Sequence, residues 1–191
     1  MISMTENQLK LIIITVCLLL INLSGCIDTD NDSAESNDTN LVTVTKVVDG
    51  DTIDIRYSNG TTERIRLLGV DTPETHTDNE PEDFEGIDNA SYLHEWGLKA
   101  SDYTSDILKG NKVRLEYDDI SDRRGYYGRL LAYVFLQNDT MYNRMLIKNG
   151  YARVYDEAEI EYMDEFLELE QEAKVKQIGL WSYYLSHSST H

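Results

Sequence analysis

Apolar and polar residues alternate along much of the chain between Val42 and Leu67, with the two-residue period of β-strands. Asn59-Gly60 interrupts this alternation and is a strong signal for the tight turn of a β-hairpin. Asp49-Gly50 follows a valine-rich segment and marks an earlier turn. The pattern therefore predicts a meander of three antiparallel strands.

Two more strands and three helices are predicted after the meander. The strand candidates are residues 112–117 and 130–136, which a polar, glycine-containing stretch separates. Apolar residues recur at helical spacing in three other segments, residues 93–107, 141–146 and 162–173. We interpret these apolar stripes as core-facing surfaces rather than cofactor sites, and Trp181 as a packing anchor after the last helix.

This order of elements predicts an α+β fold, namely a five-stranded OB-type β-barrel with about three α-helices. Other α+β arrangements remain open on patterning alone. Residues 41–185 have the length of one ordinary domain. Residues 186–191 are predicted to form a disordered tail.

The first 25 residues have the features of a secretory signal peptide. Residues 11–21 form an apolar run, interrupted only by Thr15, that is shorter than the about 20 residues of a membrane span. Residues 23–26, Leu-Ser-Gly-Cys, resemble the lipobox of prokaryotic lipoproteins, which implies cleavage before Cys26 and lipidation of its thiol. The alternative is an uncleaved hydrophobic anchor. Either arrangement places the domain outside the cytoplasmic membrane, and lipidation would hold it at the extracellular face.

The chain is strongly acidic, with 17 basic and 35 acidic residues among 191 and a net charge of −18. Any binding of a polyanion must therefore depend on a local basic patch. Residues 26–40 are predicted to be a disordered acidic tether, because they contain too few apolar residues to offset the entropy of ordering. Cys17 and Cys26 are the only cysteines, and the lack of paired Cys or His spacings disfavours zinc and disulfide frameworks.

Candidate metal ligands stand where predicted strands begin and end. Asp51 opens the second strand, and Asp71 ends the third, which also carries Arg66. Pro73 biases Thr72 away from a helical conformation and leaves the Thr72 carbonyl free as an oxygen ligand. Two carboxylates and this carbonyl would form an oxygen-only site of the kind that Ca²⁺ prefers. An isolated Asp-Gly-Asp, however, is more often a plain turn than a metal site.

A basic and aromatic loop precedes the last predicted strand, with Arg129 at the entrance of that strand. Guanidinium groups pair with phosphate oxygens, and tyrosines such as Tyr127 can stack on bases or reach a phosphate. Arg123 and Arg124, taken individually, are better explained as solvated charges that offset nearby acidic residues.

In order and content these segments resemble the staphylococcal nuclease (thermonuclease) family. The matching motifs are Val48-Asp49-Gly50-Asp51-Thr52, Arg66 through Glu74, and Tyr127-Gly128-Arg129 before a Leu-Ala-Tyr strand. The most specific part is the Asp-Thr-Pro-Glu turn, which an arginine precedes by five residues. The resemblance covers residues 42–181, and the family's OB barrel agrees with the predicted order of elements.

The resemblance implies a role for each matching residue. The implied Ca²⁺ ligands are Asp51, Asp71 and the backbone carbonyl of Thr72. The implied catalytic residues are Glu74 as general base and Arg66 and Arg129 as a clamp on the scissile phosphate. Tyr127 matches a tyrosine near a nucleotide phosphate. The implied activity is Ca²⁺-dependent endonucleolytic hydrolysis of DNA and RNA, single-stranded or frayed, to 3′-phosphate products.

The predicted partners are therefore nucleic acid as substrate and the membrane, through lipidated Cys26, and we expect a monomer. Residues 75–89 form an acidic insertion relative to the family. It could repel a duplex or hold a second weak cation, but we interpret it as a solvated loop. Tyr155 is the nearest candidate for a further nucleotide-contacting tyrosine and is not counted among the predicted site residues.

Two alternatives to an enzyme remain. One is a non-catalytic nucleic-acid or peptide-binding module, since the same fold serves for binding elsewhere. The other is a surface lipoprotein with a structural role, which the net charge favours. The nuclease is preferred because the matching carboxylates and arginines are all present. These residues are Asp51, Arg66, Asp71, Glu74 and Arg129.

Overall fold

The structure, a computed structural model, describes residues 41–183. The predicted signal peptide, the Cys26 lipidation site, the acidic tether and the C-terminal tail lie outside the described residues. Within residues 41–183, no helix combines the length and the apolar character needed to cross a bilayer.

The described residues form seven strands, three α-helices and two short 3₁₀ helices. In chain order the strands and α-helices are β1 Leu41–Asp49, β2 Thr52–Arg56, β3 Thr62–Leu67, β4 Val70–Asp71, α1 Ala90–Leu108, β5 Lys112–Glu116, β6 Leu130–Phe135, α2 Tyr142–Lys148, β7 Arg153–Val154 and α3 Met163–Val175. The 3₁₀ helices are Pro81–Asp83 and Gly179–Ser182.

Five of the strands close into a barrel in the order β1-β2-β3-β6-β5. All pairs are antiparallel except β3 and β6, which run parallel. Two register shifts along β1 bend this strand, so that its first residues pair with β5 and the rest with β2. The predicted five-stranded barrel and three helices are therefore confirmed.

The alternating apolar and polar residues of the strands face the inside and the outside of the barrel, respectively. Ile53 and Ile55 on β2 are fully buried, whereas Asp54 between them is partly exposed. A second, smaller apolar cluster joins α1 and α3 to the C-terminal 3₁₀ helix, where Trp181 is 3% exposed. The interpretation of Trp181 as a packing anchor is confirmed.

Two features of the fold were not predicted. Strands β4 and β7 pair over only two residues, which is too short for periodicity to reveal. Residues 75–89 are not simply a solvated loop, because Phe84 and Ile87 are buried in the second apolar cluster. That interpretation was wrong for the apolar residues of the insertion and right for its exposed acidic ones. The insertion is thus anchored in the second apolar cluster, against α1, α3 and the C-terminal 3₁₀ helix.

Candidate active site

The turn between β1 and β2 packs against both α1 and the segment after β4. A Cβ atom added at Gly50 would lie 2.8 Å from side-chain atoms of Thr72 and Ala100, so only glycine fits there. The Gly50 carbonyl also accepts a hydrogen bond from Thr104 Oγ1 on α1 at 2.7 Å. This packing brings Asp51 to the turn that follows Asp71.

Asp51 is almost fully buried, with 5% of its surface exposed. Its Oδ2 accepts hydrogen bonds from the backbone N of Thr72 at 2.8 Å and from Thr72 Oγ1 at 2.9 Å. Its Oδ1 accepts one from Thr52 Oγ1 at 3.0 Å. Asp51 therefore connects its own turn to Thr72, which lies 21 residues away in sequence.

Arg66 lies between the two predicted carboxylate ligands. Its Nη1 is 2.7 Å from Asp51 Oδ2, and its Nη2 is 2.7 Å from Asp71 Oδ1. Nη1 also donates to the Val70 carbonyl at 2.7 Å. Burial works against the charged form, but the carboxylates of Asp51 and Asp71 raise the pKa of Arg66 above its usual value. The guanidinium is thus a fixed positive charge at the centre of the site.

Arg153 is a basic residue of the site that the sequence analysis did not assign. Pairing of β4 with β7 sets it opposite Asp71, and its Nε donates to Asp71 Oδ2 at 2.9 Å. It is 9% exposed, and Asp83 and Asp156 lie 3.9 Å from its other nitrogens. A single arginine between the apolar residues Ala152 and Val154 was the available signal.

Asp49 adds a third carboxylate to this group. Burial, followed by repulsion and a hydrogen bond from Asp51, raises the pKa of Asp49 to about 7. Burial also raises the pKa of Asp71, an effect that Arg66 and Arg153 oppose. When all three are ionised, the carboxylates of this group therefore carry more negative charge than Arg66 and Arg153 neutralise.

Glu74 is exposed, although its backbone is held firmly. The Asn79 side chain accepts from Glu74 N at 2.7 Å and donates to Glu74 O at 3.0 Å. A Cβ atom added at Gly97 on α1 would lie 2.4 Å from the Pro73 carbonyl oxygen, so the helix supports this turn at very close range. The carboxylate is consequently presented to solvent from a rigid turn.

Arg129 and Tyr127 lie just before β6, which begins at Leu130. Arg129 Nη1 is 3.5 Å from Thr52 Oγ1, and the guanidinium carbon is 5.5 Å from the centre of the Tyr127 ring. Within the part of the chain that the structure describes, no ion pair involves Arg129. This guanidinium remains available to an anion.

One cleft, of about 780 Å³, contains all of these groups. All seven residues that the sequence analysis predicted line it. They are Asp51, Arg66, Asp71, Thr72, Glu74, Tyr127 and Arg129. Asp49, Arg153 and Tyr155 line the same cleft. The seven predicted residues come from three segments that are far apart in the chain, and Arg153 and Tyr155 add a fourth.

The donor set fits a hard divalent cation. Among residues 41–183, no three acidic, histidine or cysteine side chains are grouped as a complete set of metal ligands. Asp51 and Asp71, however, approach the same guanidinium, and carboxylates crowded in a buried site favour a cation. Backbone carbonyl and water oxygens would have to complete the coordination, as hard cations commonly require.

Comparison with known proteins assigns the family. The sequence model described as Staphylococcal nuclease homologue matches residues 64–183. The chain belongs to this family. The resemblance stated from the motifs is therefore confirmed.

Several relatives of this family member cover most of its domain. An uncharacterized protein of Methanocaldococcus jannaschii is 38% identical over 191 residues, which is 87% of this chain and 91% of that protein. The Thermonuclease of Staphylococcus intermedius is 40% identical, over 72% of this chain and 74% of its own length. Endonuclease YncB of Bacillus subtilis is 39% identical, over 74% of this chain and 61% of its own length.

Proposed function

We propose that this chain is a Ca²⁺-dependent endonuclease that hydrolyses phosphodiester bonds of DNA and RNA, in single-stranded or frayed regions, to 3′-phosphate products. The observation that supports it best is the convergence of the seven predicted residues in one cleft. Relatives named as a thermonuclease and as an endonuclease add support.

The cleft provides the groups that phosphodiester hydrolysis needs. Negative charge accumulates on the phosphate oxygens as the attacking water loses a proton. Arg129, with no ion-pair partner among residues 41–183, binds the phosphate, and Arg66 supplies a second guanidinium from the floor of the cleft. Glu74 is exposed on a rigid turn and accepts the proton of the water as general base.

Asp51, Asp71 and the Thr72 carbonyl would hold the cation. Bound there, Ca²⁺ would act as a Lewis acid that opposes the charge of the phosphate. Asp51 is already fixed by hydrogen bonds from Thr52 and Thr72, and Asp71 by Arg153, so neither carboxylate needs to be ordered when a cation binds.

A cleavage assay tests the proposal. The purified chain is incubated with labelled single-stranded DNA or RNA, with Ca²⁺ or with a chelator, and the ends of the products are analysed. We expect cleavage only with Ca²⁺ and products whose 3′ phosphate a phosphatase removes. Absence of degradation under both conditions would contradict the enzyme.

A single substitution tests the general base. Glu74→Gln should lower kcat on the order of 10²- to 10⁴-fold, the usual contribution of general base catalysis. Its melting temperature and Ca²⁺ affinity should stay those of the parent, because only an exposed side chain changes. Glu82→Gln, an exposed glutamate outside the cleft lining, is the matched control. Parental turnover by Glu74→Gln would refute the assigned role.

A further inference from the structure

The loop before β6 ends in a tight turn with two tyrosines at its tip. Gly128 N donates to the Gly125 carbonyl at 2.8 Å, and Gly125 N donates to the Arg129 carbonyl at 3.0 Å. Gly128 has a φ of +73°, a conformation that favours glycine. Tyr126 and Tyr127 therefore occupy the two central positions of the turn and are directed away from the barrel.

These two side chains contribute little to the fold. Tyr126 is 97% exposed and Tyr127 is 79% exposed, the highest values among the large apolar side chains that the structure describes. Their rings contact each other edge to face, with centroids 5.2 Å apart and planes at 89°. Central turn positions usually carry small polar residues, so two exposed aromatic rings there point to binding rather than packing.

The turn itself carries positive charge, although Asp122 and Glu63 adjoin it. Residues 123–129 contain three arginines and no acidic residue, in a chain whose net charge is −18. Arg124 braces the turn, since its Nη1 donates to the Gly128 carbonyl at 2.7 Å and pairs with Glu63 at 2.8 Å. Arg129 lies next to Tyr127 and carries no ion pair within residues 41–183.

The tip also forms part of the mouth of the cleft. Tyr126 and Tyr127 line it together with Arg129 and Glu74. A nucleotide whose phosphate reaches Arg129 would therefore have its base close to the exposed rings. Aromatic side chains beside a cationic groove are the usual means of binding unpaired bases without regard to sequence.

We propose that Tyr126 is a stacking platform for an unpaired base next to the scissile phosphate, with Tyr127 supporting its ring from the side. This inference rests on the proposed function and deepens it, because it supplies a reason for preferring single strands. The bases of an intact duplex are already stacked on their neighbours and cannot cover an isolated ring. The platform therefore selects strands that are single or frayed.

Binding of a fluorescent oligothymidylate tests the platform. Fluorescence anisotropy is measured with the full chain in the Glu74→Gln background, so that the strand stays intact. Tyr126→Ala should weaken binding on the order of tenfold, the usual effect of losing one base–aromatic stack, while Tyr126→Trp should bind at least as tightly as the parent. Val175→Ser, which alters a side chain that is 72% exposed on α3, is the control and should bind like the parent.

A strand with abasic sites separates stacking from backbone contact. The parent should bind this strand about as weakly as Tyr126→Ala binds oligothymidylate, and Tyr126→Ala should lose nothing further. With the Glu74 side chain restored, Tyr126→Ala should raise KM for single strands without raising it for an intact duplex.

Two outcomes would overturn the platform. One is parental affinity of Tyr126→Ala for oligothymidylate, and the other is an equal loss with normal and abasic strands. If Ca²⁺-dependent cleavage persists in either case, the platform alone is wrong. A parent chain that neither binds nor cleaves any strand would instead remove the proposed function and the platform together.

Discussion

Asp49 and Asp51 are separated by one glycine, and the amide of Asp51 lies 3.3 Å from Asp49 Oδ1. Arg66 forms ion pairs with Asp51 and Asp71, whereas its charge lowers the pKa of Asp49 less than burial and Asp51 raise it. The negative charge of Asp49 is therefore the least compensated in the cluster. This difference explains why its pKa reaches about 7, with burial as the largest cause and Asp51 as the next. A cation bound nearby would relieve the same repulsion.

The raised pKa of Asp49 predicts a pH-dependent stability. The folded-state pKa of about 7 lies above the unfolded value near 3.9, so the parent loses stability as pH rises from about 4 to 7. Asp49→Asn cannot ionise. In chelator its free energy of unfolding should match the parent at pH 4 and exceed it at pH 8, on the order of 1–3 kcal/mol.

Denaturant unfolding from pH 4 to pH 8 measures this difference. Asp54→Asn is a control of opposite sign, because the hydrogen bond and charge of Arg64 lower the pKa of Asp54. In its pair with Arg64 the arginine is exposed and Asp54 is partly exposed, so solvent screens the interaction and the loss above pH 4 should be about 1 kcal/mol or less. A difference between Asp49→Asn and the parent that stays constant with pH would contradict the prediction.

Single residues of the site could be predicted when a motif carried them. Asp71, Thr72 and Glu74 belong to a short turn whose spacing is visible in the sequence, and the structure sets them in the cleft. Arg153 could not be found in this way. Its partner Asp71 lies 82 residues away, and only the pairing of β4 with β7 brings the two together.

At the scale of elements, α1 supports the segment that carries the predicted ligand Thr72 and the predicted base Glu74. Gly97 allows the helix to approach the carbonyls of Pro73 and Glu74, while Ala100 and Thr104 contact the Gly50 turn. Helix α1 thus packs against two segments of the site, the Gly50 turn after β1 and the Pro73-Glu74 turn after β4. Its apolar stripe predicted that it packs on the barrel, but not which turn it touches.

Gly97→Ala tests this support. In an exposed helix, replacing glycine by alanine would stabilise the protein by about 1 kcal/mol. Here the added Cβ would lie 2.4 Å from the Pro73 carbonyl oxygen and 3.0 Å from that of Glu74. We therefore expect a net loss of about 1–3 kcal/mol in the free energy of unfolding, as for other overpacked sites.

Denaturant titration checks the stability of Gly97→Ala, and kcat checks the site. Because the turn must shift, kcat should fall as Glu74 moves away from the attacking water. His94→Ala, at an exposed position of the same helix, is the control and should keep both the stability and the kcat of the parent. A Gly97→Ala variant as stable and active as the parent would show that α1 does not hold the turn.

At the scale of the whole molecule, net charge and local charge oppose each other. The chain carries −18, so a nucleic acid is repelled at a distance and attracted only near Arg129 and the loop before β6. The acidic net charge of the sequence predicted this requirement for a local basic patch. The sequence could not show that Arg124 braces the loop through Glu63 and the Gly128 carbonyl, because those contacts depend on the folded hairpin.

Because positive charge is confined to this part of the cleft, we expect the protein to contact few phosphates of a nucleic acid. If two or three phosphates contact arginines of the cleft, the logarithm of the affinity for a single strand should fall with the logarithm of salt concentration with a slope of about −1.4 to −2. Arg129→Gln should reduce the slope by about 0.7, the share of one phosphate contact. Arg56→Gln changes an exposed arginine outside the cleft lining and should leave the slope unchanged.

Anisotropy titrations of an oligonucleotide in chelator, at several concentrations of monovalent salt, provide the slopes. If Arg129→Gln and Arg56→Gln reduced the slope equally, the strand would be bound by the overall surface charge and not by the cleft.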